Sequence, residues 1–86
     1  MAVFEVRIRR SAAKELARLP RVETRRILRR IHALGENPRP PGSEKLAGQE
    51  SYRIRQGDYR VIYTVDDDLV IVEIARVGHR RGVYRN

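Results

Sequence analysis

The fold of this chain is decided by SYRIRQGDYRVIY, residues 51–63, in which large apolar or aromatic residues alternate with arginines on both sides of a Gly-Asp turn. This alternation is typical of two antiparallel strands joined in a hairpin. On the second strand the tyrosines and Val61 share one face, and Arg60 lies on the other. If the aromatic face packs on the rest of the protein, the register of the hairpin can bring Arg60 beside Arg53 and Arg55.

The residues before the hairpin predict one strand and two helices. VFEVRI, residues 3–8, alternates as a half-buried strand does. Ser11 offers an N-terminal cap to a short helix that Pro20 interrupts. Apolar residues at helical spacing continue to Gly35, a residue type suited to the left-handed position after a helix. We therefore expect two helices joined near Pro20.

A proline-rich loop, residues 35–43, leads from the helices to three segments rich in β-branched and aromatic residues, SYRIR, DYRVIYTV and LVIVEIARV. Turn-forming residues separate these segments, so a meander of three antiparallel strands is the simplest topology. The loop is too short to divide the chain, and we expect residues 1–86 to form one domain. The sequence predicts an α+β fold in which two N-terminal helices pack on a twisted antiparallel sheet.

The composition favours a negatively charged partner and a site on the surface. Lys and Arg number 19 against 11 Asp and Glu, which gives a net charge of +8, and such an excess attracts polyanions. An arginine-preferring genome would produce the same excess, since only Lys14 and Lys45 are lysines. A domain of 86 residues buries roughly 60–65% of its unfolded surface, so a deep substrate cavity is not expected.

Cysteine is absent from the chain, which excludes disulfides and thiolate metal sites. We predict no metal site and no cofactor. The N-terminal residues lack the long apolar run of a signal peptide, and no segment approaches the roughly 20 apolar residues of a membrane span. We therefore expect a soluble, cytoplasmic protein without membrane contacts.

The three arginines of the hairpin point to a phosphate-binding site. Like charges on neighbouring strands destabilise a sheet by about 0.2–1 kcal/mol per pair. Arginine binds phosphate oxygens through its planar fork, so a phosphate between the strands would relieve the repulsion. The alternative is an ordinary edge pattern in which Glu50, Asp58 and Asp68 neutralise the arginines. We favour phosphate binding.

A second basic cluster, the helix arginines, lies on the predicted outer face of the second helix and consists of Arg25, Arg26, Arg29 and Arg30. A solvated face without function is the simpler interpretation. The alternative is a docking surface for RNA or for an acidic protein segment.

The C-terminal segment RVGHRRGVYRN, residues 76–86, adds candidate site residues directly after the last long strand. His79 is a candidate for exchanging protons, a common role of histidine in catalytic sites. A lone histidine is usually structural or merely exposed, and we interpret His32 within the second helix in that way. Tyr84 could anchor the C-terminus in the core or stack on a nucleobase.

Taken together, these segments resemble a known family. KLAGQESYRIRQGDYRVIY (residues 45–63), DDDLVIVEIARVGHRRGVY (residues 66–84) and FEVRIRRSAAKELARLP (residues 4–20) are similar to the RelE/ParE superfamily of bacterial toxins from type II toxin–antitoxin pairs, and closely similar to its RelE branch. The resemblance covers essentially the whole chain. It implies a microbial-ribonuclease-like fold, which agrees with the elements predicted above.

The resemblance also implies an activity and partners. RelE toxins are ribosome-dependent endoribonucleases that cut mRNA in the ribosomal A site without metal, with the 2′-hydroxyl of the message as the nucleophile. The implied partners are mRNA, the ribosome with its 16S rRNA, and a cognate acidic RelB-like antitoxin that wraps the toxin and covers its basic face.

By the same resemblance, five residues carry the activity. Arg53 and Arg55 match two basic positions of the family that are often lysine, and Arg60 matches its phosphate-binding arginine. Arg80 matches an arginine near the leaving group, and Tyr84 a tyrosine that stacks on the substrate base. A guanidinium group stays protonated near neutrality and is a poor general base, so we assign Arg53 and Arg55 to stabilising charge on the phosphate.

Proton transfer then requires another residue. We predict that His79, which directly precedes Arg80, supplies it. Lys45 is a weaker candidate for the base, and its alternative role is to stabilise its loop. Lys45 and Arg81 are also predicted to contact RNA.

Two other functions stay open at the level of the sequence. One is a ParE-like inhibitor of DNA gyrase, which needs no catalytic residues. The other is a catalytically impaired homologue that serves only as antitoxin partner or DNA-bound repressor component. The arginines of the hairpin, Arg80 and Tyr84 favour the nuclease, while arginines at the usual lysine positions keep the impaired homologue open.

Overall fold

A computed structural model describes residues 3–46 and 50–79 and places two helices against one face of a five-stranded sheet. The elements follow in the order β1 (Glu5–Ile8), α1 (Arg10–Ala17), α2 (Arg21–Ala33), β2 (Glu44–Lys45), β3 (Ser51–Gln56), β4 (Tyr59–Asp66) and β5 (Ile71–His79). This confirms the predicted α+β fold with two N-terminal helices.

The order of strands across the sheet is β1-β5-β4-β3-β2. Strands β3, β4 and β5 pair antiparallel as the predicted meander. One edge of the sheet departs from the predicted antiparallel pairing, because β1 pairs parallel to β5 with Glu5 opposite Ile71. A parallel pair needs a long crossover, and the two helices lie on the chain between β1 and the meander. The sequence does not predict strand β2, because two residues show no alternation.

The core lies between the helices and one face of the sheet. Side chains at alternating positions of β3, β4 and β5 are buried there against α1 and α2. The apolar side chains with at most 1% exposure are Ala12, Ile27, Ile31, Leu34, Ile54, Val61, Tyr63, Val72, Ile74 and Val77. Because side chains alternate along a strand, the intervening residues point to the opposite side of the sheet, called here the outer face.

A β-bulge interrupts the alternation in β5. Tyr63 pairs with Ile74 and Ile62 with Arg76, so Ala75 has no partner on β4. The extra residue reverses which side of the strand the following residues face. Val77 is therefore buried in the core, and Arg76 shares the outer face with Ile62.

Helix α1 starts one residue earlier than the predicted cap. Arg9, not Ser11, is the N-cap residue, and no side chain caps the helix. The Arg9 amide donates to the Ile74 carbonyl at 3.0 Å. The pairing of β1 with β5 thus extends to the residue before the helix and fixes where the helix begins.

Gly35 allows close packing between β1 and the end of α2 and does not adopt a left-handed backbone conformation. Positive φ occurs among the described glycines at Gly42 and Gly57, so the prediction for Gly35 is wrong. A Cβ at Gly35 would lie 3.0 Å from the Phe4 carbonyl oxygen and 3.2 Å from Val6 Cγ2. The Phe4 amide donates to the Gly35 carbonyl at 2.7 Å. Glycine therefore lets β1 lie directly against the end of α2.

Side chains fasten the proline-rich loop to the sheet. The buried Tyr63 hydroxyl donates to the Pro38 carbonyl at 2.8 Å. Arg39 donates to both carboxylate oxygens of Asp67, at 3.2 and 2.8 Å, and to the Tyr52 hydroxyl at 2.9 Å. The Arg39 guanidinium lowers the pKa of Asp67 by hydrogen bonding to it.

In the described part of the chain, neither helix is long and apolar enough to cross a membrane.

Candidate functional site

The hairpin of β3 and β4 brings the three predicted arginines onto the outer face. Arg55 pairs directly with Arg60, and Arg53 pairs with Ile62, one step along the same face. Directly opposite residues place their Cβ atoms about 4.5–5.5 Å apart, and diagonal neighbours remain within reach of long side chains. The register therefore gathers three guanidinium groups in one region, the arginine face, defined by Arg53, Arg55 and Arg60.

The members of the arginine face differ in exposure. Arg55 is exposed and Arg60 is half-buried, while the Arg53 side chain is only 14% exposed. Within the described residues, Arg55 forms no ion pair with a carboxylate. An anion arriving from solvent would therefore meet Arg55 first.

The carboxylate of Glu44 lies at the arginine face. The pairing of β2 with β3 sets Glu44 opposite Arg53, and Arg53 Nη2 lies 2.7 Å from Glu44 Oε2. This hydrogen bond, followed by the charges of Arg53 and then of Arg55 and Arg60, lowers the pKa of Glu44. No local pattern in the sequence indicates this contact, because it depends on a two-residue strand. Glu50, one of the carboxylates considered for neutralising the arginines, binds Lys45 at 3.3 Å instead.

Helix α2 supports the hairpin from the core side through Arg30. Arg30 Nη1 donates to the Arg55 carbonyl at 3.1 Å and to Gln56 Oε1 at 3.4 Å. The prediction that all four helix arginines are solvated is therefore wrong for Arg30, which is half-buried. Arg25, Arg26 and Arg29 are exposed as predicted. Arg30 fixes the backbone that carries Arg55.

Both candidates for proton transfer lie on the face opposite the arginines. His79 pairs with Tyr59, and the two rings meet edge to face with centroids 5.8 Å apart. Lys45 pairs with Tyr52. Tyr52 is buried in the core and Tyr59 packs against it, so the register directs His79 and Lys45 away from the arginine face. This corrects the expectation that His79 or Lys45 joins the arginines.

Comparison with known proteins identifies the family. The model of the family described as ParE toxin of type II toxin–antitoxin system, parDE, matches residues 6–84. The chain belongs to this toxin family.

Individual relatives place the toxin on the RelE side of the superfamily. Toxin RelG from Mycobacterium tuberculosis is 36% identical over 90 residues, covering 95% of this chain and 97% of the relative. The toxin–antitoxin complex RelBE2 of M. tuberculosis superposes with a TM-score of 0.82 at 28% identity, covering 93% of this chain and 94% of the solved one. The RelE–RelB complex from Pyrococcus horikoshii superposes with a TM-score of 0.80 at 30% identity, covering 94% of this chain and 99% of the solved one. The toxin is a RelE-like member of the RelE/ParE superfamily.

Three predicted site residues of the toxin, Arg80, Arg81 and Tyr84, lie outside the described residues, and their roles stay predictions. Among residues 3–46 and 50–79, no three His, Cys, Asp or Glu side chains form a group that could hold a metal ion.

Proposed function

We propose that the toxin is a ribosome-dependent endoribonuclease that cuts mRNA in the A site by attack of the message's own 2′-hydroxyl, without metal. One observation carries the proposal: Arg55 and Arg60 face each other directly across two strands, with Arg53 beside them. Guanidinium groups in this arrangement suit a phosphodiester whose negative charge increases during the reaction.

The arginine face would act on charge and geometry. Arg55 and Arg60 bind the non-bridging oxygens of the phosphate that is cut, and Arg53, already paired with Glu44, adds positive potential beside them. The 2′-oxygen forms a bond to phosphorus while the bond from phosphorus to the 5′-oxygen breaks. The 2′-hydroxyl loses a proton and the leaving 5′-oxygen gains one, so the products carry a 2′,3′-cyclic phosphate and a 5′-hydroxyl.

Residues beyond the arginine face complete this proposal. Arginine stays protonated near neutrality, so the arginine face stabilises charge and does not accept the proton. His79 faces away from it, which favours a supporting role at the end of β5 over direct proton transfer. We propose that Arg80 neutralises the leaving oxygen, that Tyr84 stacks on a base and that Arg81 contacts RNA.

We also propose an acidic RelB-like antitoxin as the protein partner, with the toxin acting in the cytoplasm. Similar RelE toxins have been solved in complex with RelB, and the net charge of +8 favours an acidic partner. A groove of about 340 Å³ between α1 and α2 has Leu16, Leu19 and Leu28 on its lining and also carries Arg21 and Arg25. An amphipathic acidic segment fits such a groove, because its apolar side would meet the leucines and its carboxylates the arginines.

A second candidate function is inhibition of DNA gyrase, favoured by the ParE description of the matching family model. Incubating the toxin with programmed ribosomes and mapping the ends of the message separates the two functions from each other. Cuts within A-site codons, with gyrase supercoiling unaffected, support the nuclease. Loss of supercoiling with intact message supports the gyrase inhibitor, and no effect in either assay supports a homologue without toxicity.

The Glu44→Gln variant is expected to bind single-stranded RNA more tightly, by on the order of three- to tenfold at low salt. The change removes the carboxylate that lies 2.7 Å from Arg53 and that would otherwise repel a phosphate on the arginine face. Titration of a fluorescent oligouridylate measures the effect.

Because the pKa of Glu44 is lowered, its charge is present at neutral pH. Wild-type affinity should approach that of the variant only well into the acid range, as the carboxylate takes up its proton.

Glu50→Gln is the matched control for this experiment. Glu50 is also an exposed carboxylate, but its ion pair is with Lys45, at 3.3 Å. Equal affinities of the Glu44 and Glu50 variants would show that the carboxylate beside Arg53 does not oppose RNA binding.

A further inference from the structure

The bulge in β5 adds a fourth arginine to the outer face. In a regular strand Arg76 would face the core, because it lies two residues after the buried Ile74. The unpaired Ala75 reverses this alternation, and the register then sets Arg76 opposite Ile62. Ile62 in turn pairs with Arg53 on its other side. Arg76 and Arg53 therefore flank the same residue of β4 on the outer face.

Arg76 is also a diagonal neighbour of Arg60. Arg60 pairs with Gly78, which lies two residues beyond Arg76 in the same strand. Diagonal positions of an antiparallel pair lie about 7–8 Å apart, a separation that long side chains can span. Positive charge thus continues on the outer face from the arginine face across β4 to β5.

The present partner of Arg76 is exchangeable. Arg76 Nε lies 3.3 Å from Glu15 Oε2 in α1, and the Arg76 side chain is 40% exposed. Ion pairs at this exposure contribute little and are screened by salt. Glu15 has a separate structural role, because its Oε1 accepts a hydrogen bond from the Val77 amide at 2.9 Å. Glu15 can therefore hold α1 to β5 when Arg76 turns towards another anion.

We propose that Arg76 binds a second phosphate of the RNA strand, next to the phosphate held by Arg55 and Arg60. The proposal rests on the proposed RNA-cleaving function and extends the same site by one backbone position. Its ligand is the sugar–phosphate backbone of single-stranded RNA, without base recognition. Arg76 is then a substrate-positioning residue that sets the register of the message on the sheet.

A purely structural role for Arg76 and a phosphate-binding role predict different RNA binding by two variants. Arg76→Gln and Glu15→Gln both remove the ion pair, and the glutamine at position 15 keeps an oxygen that can accept from the Val77 amide. If the ion pair matters only for folding, the two variants should behave alike. If Arg76 binds phosphate, only Arg76→Gln should weaken RNA binding.

The experiment measures the affinity of the full chain for an oligouridylate at a series of salt concentrations. Log K falls linearly with log salt, and each phosphate contact with a single strand adds about 0.7 to the steepness of this slope. Arg76→Gln should lower the steepness by about 0.7, and Glu15→Gln should keep it. Arg7→Gln is the matched control, because Arg7 lies at the far edge of the outer face, paired with Glu5 at 2.6 Å. Thermal melting of each variant checks that it is folded.

The outcomes separate this inference from the proposed function. A slope unchanged in Arg76→Gln but lowered in Arg55→Gln would overturn the second phosphate site and leave the arginine face intact. A slope unchanged in both variants would overturn the RNA-binding role of the whole face. Equal losses of affinity in Arg76→Gln and Glu15→Gln, without a change of slope in either, would assign Arg76 to folding.

Discussion

Replacing Arg60 by alanine is expected to lower the rate of message cleavage on the ribosome by about 100- to 1,000-fold. Arg60 lies directly opposite Arg55, so its guanidinium is placed to share one phosphate with that residue. Negative charge on the phosphate oxygens increases as the 2′-oxygen attacks. Removing one prearranged donor raises the energy of this state more than that of the bound message.

Single-turnover cleavage of a short message on programmed ribosomes measures this rate. Arg29→Ala is the control, because it removes an equal charge from an exposed position of α2. Thermal melting of Arg60→Ala checks that the variant is folded. A variant that is folded and cuts at the wild-type rate would remove Arg60 from the mechanism.

Replacing Tyr63 by alanine is expected to lower the free energy of unfolding by about 3–5 kcal/mol. Tyr63 is fully buried in β4, and its ring stacks on Tyr52 with centroids 5.8 Å apart. Small domains have free energies of unfolding of about 5–15 kcal/mol, so this loss takes a large share of the total. Denaturant unfolding followed by circular dichroism measures it.

Tyr63→Phe is the matched control and should cost only about 0.5–1.5 kcal/mol, because it removes the hydrogen bond to Pro38 and keeps the ring.

The same variant tests how the stability contributed by Tyr63 depends on pH. Burial raises the pKa of Tyr63 from 10.0 to about 12. The unfolded state then loses this proton before the folded state does, so the contribution of Tyr63 to stability falls as pH rises through that range. Tyr63→Phe should lack this part of the decline, and a decline as steep as in the wild type would contradict the assignment.

The hairpin and its two faces could be predicted because alternation has a fixed period. Val61 and Tyr63 are buried and Arg60 lies on the other face, as the residue pattern requires. The same pattern brought Arg53 and Arg55 beside Arg60. The local residue pattern is therefore sufficient to predict this part of the site.

The remaining features depend on contacts that local patterns do not contain. The parallel pairing of β1 with β5 depends on how the two helices after β1 pack on the sheet. Glu44 reaches Arg53 only through a strand of two residues. Arg76 changes face because of a single bulged residue, and no composition signal marks that position. Gly35 is needed for a close approach between distant segments, which its immediate neighbours cannot indicate.

The direction of His79 is not predictable for a related reason. His79 directly precedes Arg80 in sequence, but adjacency along the chain does not mean that two side chains lie close together in space. Neighbouring residues of a strand point to opposite sides, so the pairing of His79 with Tyr59 decides its direction.

The chemistry of the ends left on ribosome-bound message tests most directly whether the arginine face acts on an RNA phosphate. Wild-type toxin should leave a 2′,3′-cyclic phosphate upstream of the cut and a 5′-hydroxyl downstream, with both ends much reduced in Arg60→Ala. A 5′-phosphate at the cut, or a message that stays intact on ribosomes exposed to the wild-type toxin, would contradict the account.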